Sequence, residues 1–300
     1  MLRILTEASG SLTSGYIIKA IKDAGYYAIA SDVDERIASK YLADDFIKMP
    51  FSNDPQLWDK TLGLLGQYQV DVVFPSFDET LVDWALQKKE LLNQKVHIIL
   101  SDPDTIKVFR DKWLTYSFFK SHNIPTPKTS TEQIYSLVKP RAGRGGKGVH
   151  LPKGSVSMEG MISQEYVEGE EYTVDVLCDR NAKPVYIVPR VRWNVKDGKS
   201  TGGIVRFHRD IISWVERICA AVPFVGPINL QCFVLPDGTV QFIEINPRLA
   251  GGMALGFAAT DNWISAIVQS VVYGEDIKIK PVQYGMKMLR YYDEIYVPSN

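Results

Sequence analysis

The sequence is poor in cysteine, has no long apolar run and carries almost no net charge. Each of these absences removes a class of protein. Three cysteines in 300 residues, Cys178, Cys219 and Cys232, give no disulfide framework and no CxxC or other metal-ligand spacing. Cys178 and Cys232 lie in apolar runs and read as small core residues. No apolar stretch approaches the roughly 18 residues that span a bilayer. Met1–Gly10, with Glu7 in it, lacks an apolar signal core. The expectation is a cytoplasmic protein in a reducing compartment, with no membrane attachment. Lys plus Arg is 34 against 35 Asp plus Glu, a net charge of −1, which argues against nucleic-acid binding by bulk electrostatics. Gly and Pro, at 22 and 16, are close to average usage, and neither internal repeats nor low-complexity segments occur.

What is present is an ordinary globular composition, 45% hydrophobic, long enough for two or three domains at roughly 100–200 residues each. The first hundred residues alternate short apolar runs with helical segments. Strands are expected at Arg3–Thr6, Tyr26–Ala30, Val70–Phe74 and Val96–Leu100, and helices at Thr13–Ala24 and Asp78–Leu92. This is the pattern of a parallel sheet covered on both faces, hence an α/β domain over 1–101. Ser101-Asp-Pro-Asp104 is a stop and restart signal, with proline at a first helical position. Two helices, Pro103–Phe109 and Lys112–Ser121, fill a connector over 102–127. Beyond Pro127 strands dominate: Tyr135–Val138, Val149–Leu151, Ile162–Val167, Tyr172–Cys178, Pro184–Val191, Ile228–Leu235 and Thr239–Ile245. Helices at Asp210–Ala221 and Trp263–Val272 make this an α+β region.

The first turn, Glu7–Gly15, is not GxGxxG, so a nicotinamide-dependent oxidoreductase is disfavoured. That turn reads either as a tight strand-to-helix connection or as an anion site at a helix N-terminus. Lys139-Pro-Arg-Ala-Gly-Arg-Gly-Gly-Lys-Gly148 packs four cations and four glycines into ten residues without an acid. It suits polyphosphate, because glycine lets backbone N–H groups converge while Lys and Arg neutralise charge. A solvated basic loop is the alternative. It is not a P-loop, since a glycine follows Lys147. In Ile162–Asp175 two strands flank an acidic turn, Glu168–Glu171. This is either an exposed hairpin tip or a hinge offering backbone to a purine edge and a carboxylate to a ribose.

Ile228–Leu235 and Thr239–Ile245 flank Pro236-Asp237-Gly238, a hairpin signal. With Asp237-Gly238 as a two-residue loop, Gln231 faces Glu244, and Glu244 shares a face with Asn246 two residues on. Gln231, Glu244 and Asn246 then form an all-oxygen cluster suited to Mg²⁺ carrying phosphates. Arg248, just beyond, is placed to grip a phosphoryl oxygen. The competing reading is a polar outer hairpin face.

Lys139–Gly148, Gln164–Asp175 and Glu244-Ile-Asn-Pro-Arg248, in this order and spacing, resemble the ATP-grasp superfamily. The flavour is that of carbamoyl phosphate synthase large subunits and the amino-acid ligases similar to them. The resemblance covers nearly the whole chain. It implies an N-terminal parallel-sheet domain of the pre-ATP-grasp kind over 1–101, a small lid subdomain over 128–168 and a large subdomain over 169–300. It implies ATP and Mg²⁺ (or Mn²⁺) as cofactors. Lys112, Lys139, Arg141 and the Gly143–Gly148 loop, with Gly145, Gly146 and Lys147, would contact or cover the phosphates. Glu165 and Val167 would meet adenine through their backbones, and Glu171 would bind the ribose. Gln231, Glu244 and Asn246 would hold the metal, and Arg248, with Lys139, would serve catalysis at the acyl phosphate. Such families place helices between the lid strands; too few residues separate the strands here, so a trimmed lid is expected.

The implied activity is an ATP-dependent carboxylate–amine (or thiol) ligase acting on small molecules through an acyl phosphate, with release of ADP and phosphate. The alternatives are a carbamoyl-phosphate-synthase-like enzyme and a catalytically inactive nucleotide-binding regulator. Arg192, Arg206 and Glu79 are candidate substrate contacts, because Arg grips carboxylates bidentately and Phe77-Asp-Glu79 follows a strand at the carboxyl edge of the first sheet. Lys199–Gly203 reads as a mobile loop, Arg290 as a structural ion-pair partner, and a homodimer is the expected assembly.

Overall fold

The fold is described from a computed structural model covering residues 1–11, 14–196, 199–291 and 293–298 of the 300. The first part of the chain runs β1 (Arg3–Thr6), α1 (Gly15–Asp23), β2 (Tyr27–Asp32), α2 (Ser39–Leu42), β3 (Asp45–Lys48), α3 (Leu57–Gln67), β4 (Val72–Phe74), α4 (Leu81–Asn93) and β5 (His97–Ile98). Its five strands form one parallel sheet in the order β3-β2-β1-β4-β5. The apolar strands make this inevitable: Ile4, Leu5, Ala28, Ile29, Val72 and Val73 are all fully buried, so both sheet faces must be covered. The order reverses between β1 and β4, which opens a crevice at their carboxyl ends, next to Glu7 and to residues 75–80.

Two helices follow, α5 (Pro103–Arg110) and α6 (Lys112–Ser121). Asp111 separates them, and its carboxylate caps α6 by accepting from the N–H groups of Trp113 (2.8 Å) and Leu114 (3.2 Å). A small antiparallel sheet comes next, from β6 (Thr129–Ser130), β7 (Leu137–Pro140) and β8 (Met161–Gln164), in the order β6-β8-β7. Among the described residues no helix lies between Ser121 and Arg209, so this layer is as spare as its spacing predicts. Val149–Leu151 is not a strand; His150 makes only a single bridge to Val138.

The remainder builds a six-stranded antiparallel sheet from β9 (Glu170–Cys178), β10 (Pro184–Lys196), β11 (Lys199–Val205), β12 (Gly226–Val234), β13 (Val240–Asn246) and β14 (Lys287–Leu289). Helix α7 (Arg209–Ala221) follows β11, and α8 (Ala254–Ala259) and α9 (Trp263–Tyr273) precede β14. The order is β13-β12-β9-β10-β11-β14. Lys199–Gly203, expected as a mobile loop, is the body of β11: it pairs with β10, and Gly202 and Gly203 also pair with β14. Thr13 of the expected first helix lies outside the described residues.

One face of the large sheet packs Val174, Val176, Ile228, Leu230 and Phe242 against α7 through Ile211, Val215 and Ile218. The other face meets α8, α9 and α1 through Leu255, Trp263 and Ile17. Cys178 and Cys232 are fully buried. No described helix is long and apolar enough to cross a membrane.

Candidate active site

Hairpin β12–β13 positions the oxygen cluster, by a route different from the simple count. The loop has three residues, with Leu235 N donating to Thr239 O and Gly238 at φ 85°, so the register through Cys232–Phe242 is one residue off the expected one. A β-bulge then intervenes, and Gln231 pairs with Glu244 as expected. The bulge has a purpose that burial reveals. Val240 and Phe242 point into the core, and strict alternation would send Glu244 after them. The extra residue reverses the phase, so that Ile245 fills the core and Glu244 and Asn246 turn to the opposite, half-buried face.

On that face the large sheet presents polar side chains in register across its strands. Glu244, Gln231, Thr173 and Arg190 form one row; Asn246, Asn229 and Asp175 form the next. Asp175 and Arg190 make a buried two-point pair (Nε to Oδ2 2.7 Å, Nη2 to Oδ1 3.1 Å), and Asn229 donates to the same carboxylate at 2.8 Å. This network was not legible in the sequence.

Cations close over the acidic end of the rows. Lys112, at the start of α6, places its Nζ 3.5 Å from Glu244 Oε1 and donates to Gly143 O at 2.9 Å. Lys139, on β7, is buried and donates to Gln164 Oε1 at 2.8 Å; Gln164 in turn donates to Thr129 Oγ1. Burial pushes the Lys139 ammonium down to about 8, with Glu244 opposing the fall and Lys112 adding to it. Arg248 holds Asp78 of the first domain bidentately (2.6 and 2.8 Å), and its Nη2 also donates to Asn246 Oδ1 at 3.3 Å. Burial works against the Arg248 charge, but Asp78, with Glu244 and Tyr16, offsets it and holds the guanidinium above its ordinary value.

The glycine loop stands over this cluster. Gly143, Gly145, Gly146 and Gly148 all have positive φ, which no other residue adopts at so little cost. Lys147 is exposed, whereas Arg141 is engaged by the Asp111 carboxylate, with Nη2 to Oδ2 at 2.6 Å. At the hinge, Tyr135, Glu165, Val167, Glu168, Leu235 and Gln241 line a cleft of about 530 Å³ between the small sheet and the β12–β13 hairpin. Gly169 is required there, because a Cβ would lie 2.5 Å from Val234 O.

The structure gives the remaining candidates partners of their own. Glu165 pairs with Lys128. Glu171, the ribose candidate, accepts from Arg192 at 2.7 Å, and Arg206 pairs with Glu170 on the exposed rim. Glu79 pairs with Arg144 of the glycine loop at 3.2 Å. Among the described residues Arg290 has no ion-pair partner of the kind expected, and it donates to the Gly251 carbonyl. Gly10 N–H of the first turn donates to Asp32 at 2.7 Å. Asp78 lies in the Phe77-Asp-Glu79 segment marked by its place at the sheet edge, but no local signal marks its pairing with Arg248. Asp111 is absent from the expected site residues, although it carries a signal, an N-cap aspartate immediately before a helix.

Among the described residues no three His, Cys, Asp or Glu side chains cluster as a metal cage. One carboxylate and two amides, Glu244, Gln231 and Asn246, instead match the donor set of a hard cation that keeps waters and shares phosphate oxygens. Lys112 already stands against Glu244 and Arg248 against Asn246, so cations neutralise these oxygens in the present arrangement.

Comparison with known proteins agrees with this geometry. Residues 109–252 match the ATP-grasp domain family. The chain is 30% identical over 149 residues to tyramine–L-glutamate ligase of Methanocaldococcus fervens, a match covering 49% of this chain and 47% of that protein. It is 27% identical over 274 residues to 3-methyl-D-ornithine–L-lysine ligase of Methanosarcina mazei, covering 87% and 70%. The first match thus spans less than half of the relative's length. The fold superposes on N5-carboxyaminoimidazole synthetase of Staphylococcus aureus complexed with ADP with a TM-score of 0.75, at 19% identity over 97% of this chain and 82% of that one. The match to the ATP-grasp domain family thus covers residues 109–252, just under half of the chain.

Proposed function

We propose that the protein is an ATP-dependent carboxylate–amine ligase that forms a C–N bond and releases ADP and phosphate. The observation that carries the reading is the convergence of Lys112, Lys139 and Arg248 on the Glu244–Asn246 strand end, beneath a glycine loop. The names of the relatives, which join an amino acid to an amine, support small-molecule substrates of that class. In this reading residues 1–101, 102–127, 128–168 and 169–300 are the preceding domain, connector, lid and large subdomain. A homodimer is the simplest assembly and the cytoplasm the site of action.

The substrate carboxylate attacks the γ-phosphorus of ATP, ADP leaves, and an acyl phosphate results. The amine then attacks the acyl carbon, loses a proton and expels phosphate. No nucleophilic side chain is needed, since positioning and charge neutralisation carry phosphoryl transfer. Lys139 and Lys112 neutralise phosphate oxygens, while Gly145, Gly146 and Lys147, with Arg141 at the base of the loop, cover them from water. Glu165 and Val167 offer backbone to adenine in the hinge cleft, and Glu171 faces the ribose. Gln231, Glu244 and Asn246 would hold Mg²⁺ (or Mn²⁺), which neutralises phosphate charge when bound. Arg248 steadies the transferring phosphoryl group. Arg192 and Glu79, beside the cleft, and Arg206, at its rim, are the substrate-side candidates.

The test is a pooled-metabolite assay with product analysis. ADP and phosphate are expected only when the right acid and amine are both present. Formation of AMP and pyrophosphate would contradict the reading.

A further inference from the structure

The first domain does more than abut the site. The Arg248 guanidinium has five N–H groups. Asp78 takes one on Nε and one on Nη2, Asn246 the other on Nη2, and the Leu249 carbonyl one on Nη1 (3.1 Å). Among the described residues a single N–H, on Nη1, is left for a ligand. Asp78, across 170 residues of sequence, therefore fixes the plane in which Arg248 meets an anion.

Asp78 is itself immobilised. Buried Glu7 accepts from Ser76 N (2.9 Å) and Phe77 N (3.0 Å) through Oε2, and from Thr80 Oγ1 (2.8 Å) and Trp84 Nε1 (2.9 Å) through Oε1. The same short segment receives the lid. Arg144 lies over the Phe77 ring at 4.4 Å, reaches Glu79 at 3.2 Å and stands 3.9 Å from Asp78 Oδ2. One carboxylate thus faces the lid arginine on one side and the strand-end arginine on the other.

We propose that Asp78 is a positioning residue for Arg248 and, with Phe77 and Glu79, the seat of the lid, so that closure of the glycine loop and alignment of Arg248 pass through one carboxylate. The positioning half rests on the ligase reading; the seat does not.

The test measures hydrogen exchange of loop 141–149 in the ligand-free full chain, for Asp78→Asn, Arg144→Gln and the double variant. Turnover constants and Mg-ADP binding are measured alongside. Each single variant is expected to raise loop exchange several-fold and the double variant no further than the larger single, as for residues acting through one contact. Asp78→Asn is expected to lower kcat by about 10- to 100-fold, the scale of a misplaced catalytic group, with KM for ATP within about twofold. Unchanged loop exchange, additive effects, or an unchanged kcat would overturn the proposal. Arg144 is on the exposed loop, so its variant decides the seat even where Asp78→Asn folds poorly. A wild-type chain that neither binds Mg-ADP nor releases ADP would overturn the ligase reading and the positioning role together, while ligand-free exchange still decides the seat.

Discussion

Two bidentate arginine–aspartate pairs in this molecule are built for different ends. Asp175–Arg190 joins neighbouring strands of one sheet, with side chains 0% and 3% exposed, and Asn229 also donates to its carboxylate. Asp78–Arg248 joins two domains, with side chains 15% and 11% exposed, and Arg248 stands beside Asn246 of the strand end. A pair sealed inside one sheet can only hold structure. A pair at the joint between domains, still open to solvent, can hold structure and meet a ligand.

The comparison can be broken from either side. The largest stability effect is expected at the buried pair: Asp175→Ala strands a buried guanidinium and should cost about 3–5 kcal/mol by denaturant titration. The exposed rim pair is the control, and Arg206→Ala should cost less than about 1 kcal/mol. Equal losses would show that burial does not separate the two kinds of pair.

Lys139 sharpens the comparison through pH. Its ammonium is pushed down to about 8 by burial, so it is charged below that pH and neutral above it. A bound polyanion favours the charged form and raises this value. Binding of Mg-ADP should therefore take up a proton above pH 8 and weaken as pH rises, by about tenfold per unit where only the bound form is protonated. Calorimetry in buffers of different ionisation enthalpy measures that uptake. In Lys139→Met the proton uptake should vanish.

Much of the fold is legible because its signals are local. The apolar strands of the first domain, the Asp-Pro restart before α5 and the lean stretch between Pro127 and Ile162 all act within a few residues. Strand β3, a short charged edge strand, and α3, with two glycines in eleven residues, carry weak signals of their own and pass unread. The Gln231–Glu244 pairing was reached through two compensating differences, a three-residue loop and a bulge. Alternation alone cannot reveal a bulge, because the bulge is a break in alternation. Asp78 and the Asp175–Arg190–Asn229 network are tertiary facts: each joins residues far apart in sequence through partners that no local pattern marks. Arg192 and Arg206 looked available as sequence, whereas both have intrachain carboxylates in the fold.

The most direct test of the account is ATP turnover by Glu244→Ala with the acid and amine found for the wild-type chain. Glu244 stands beside Lys112 and on the half-buried face the bulge creates, so its loss should spare the fold. The account predicts an unchanged circular dichroism spectrum and loss of ADP release by at least about 100-fold, the scale of removing one transition-state contact. Normal turnover in that variant would contradict it.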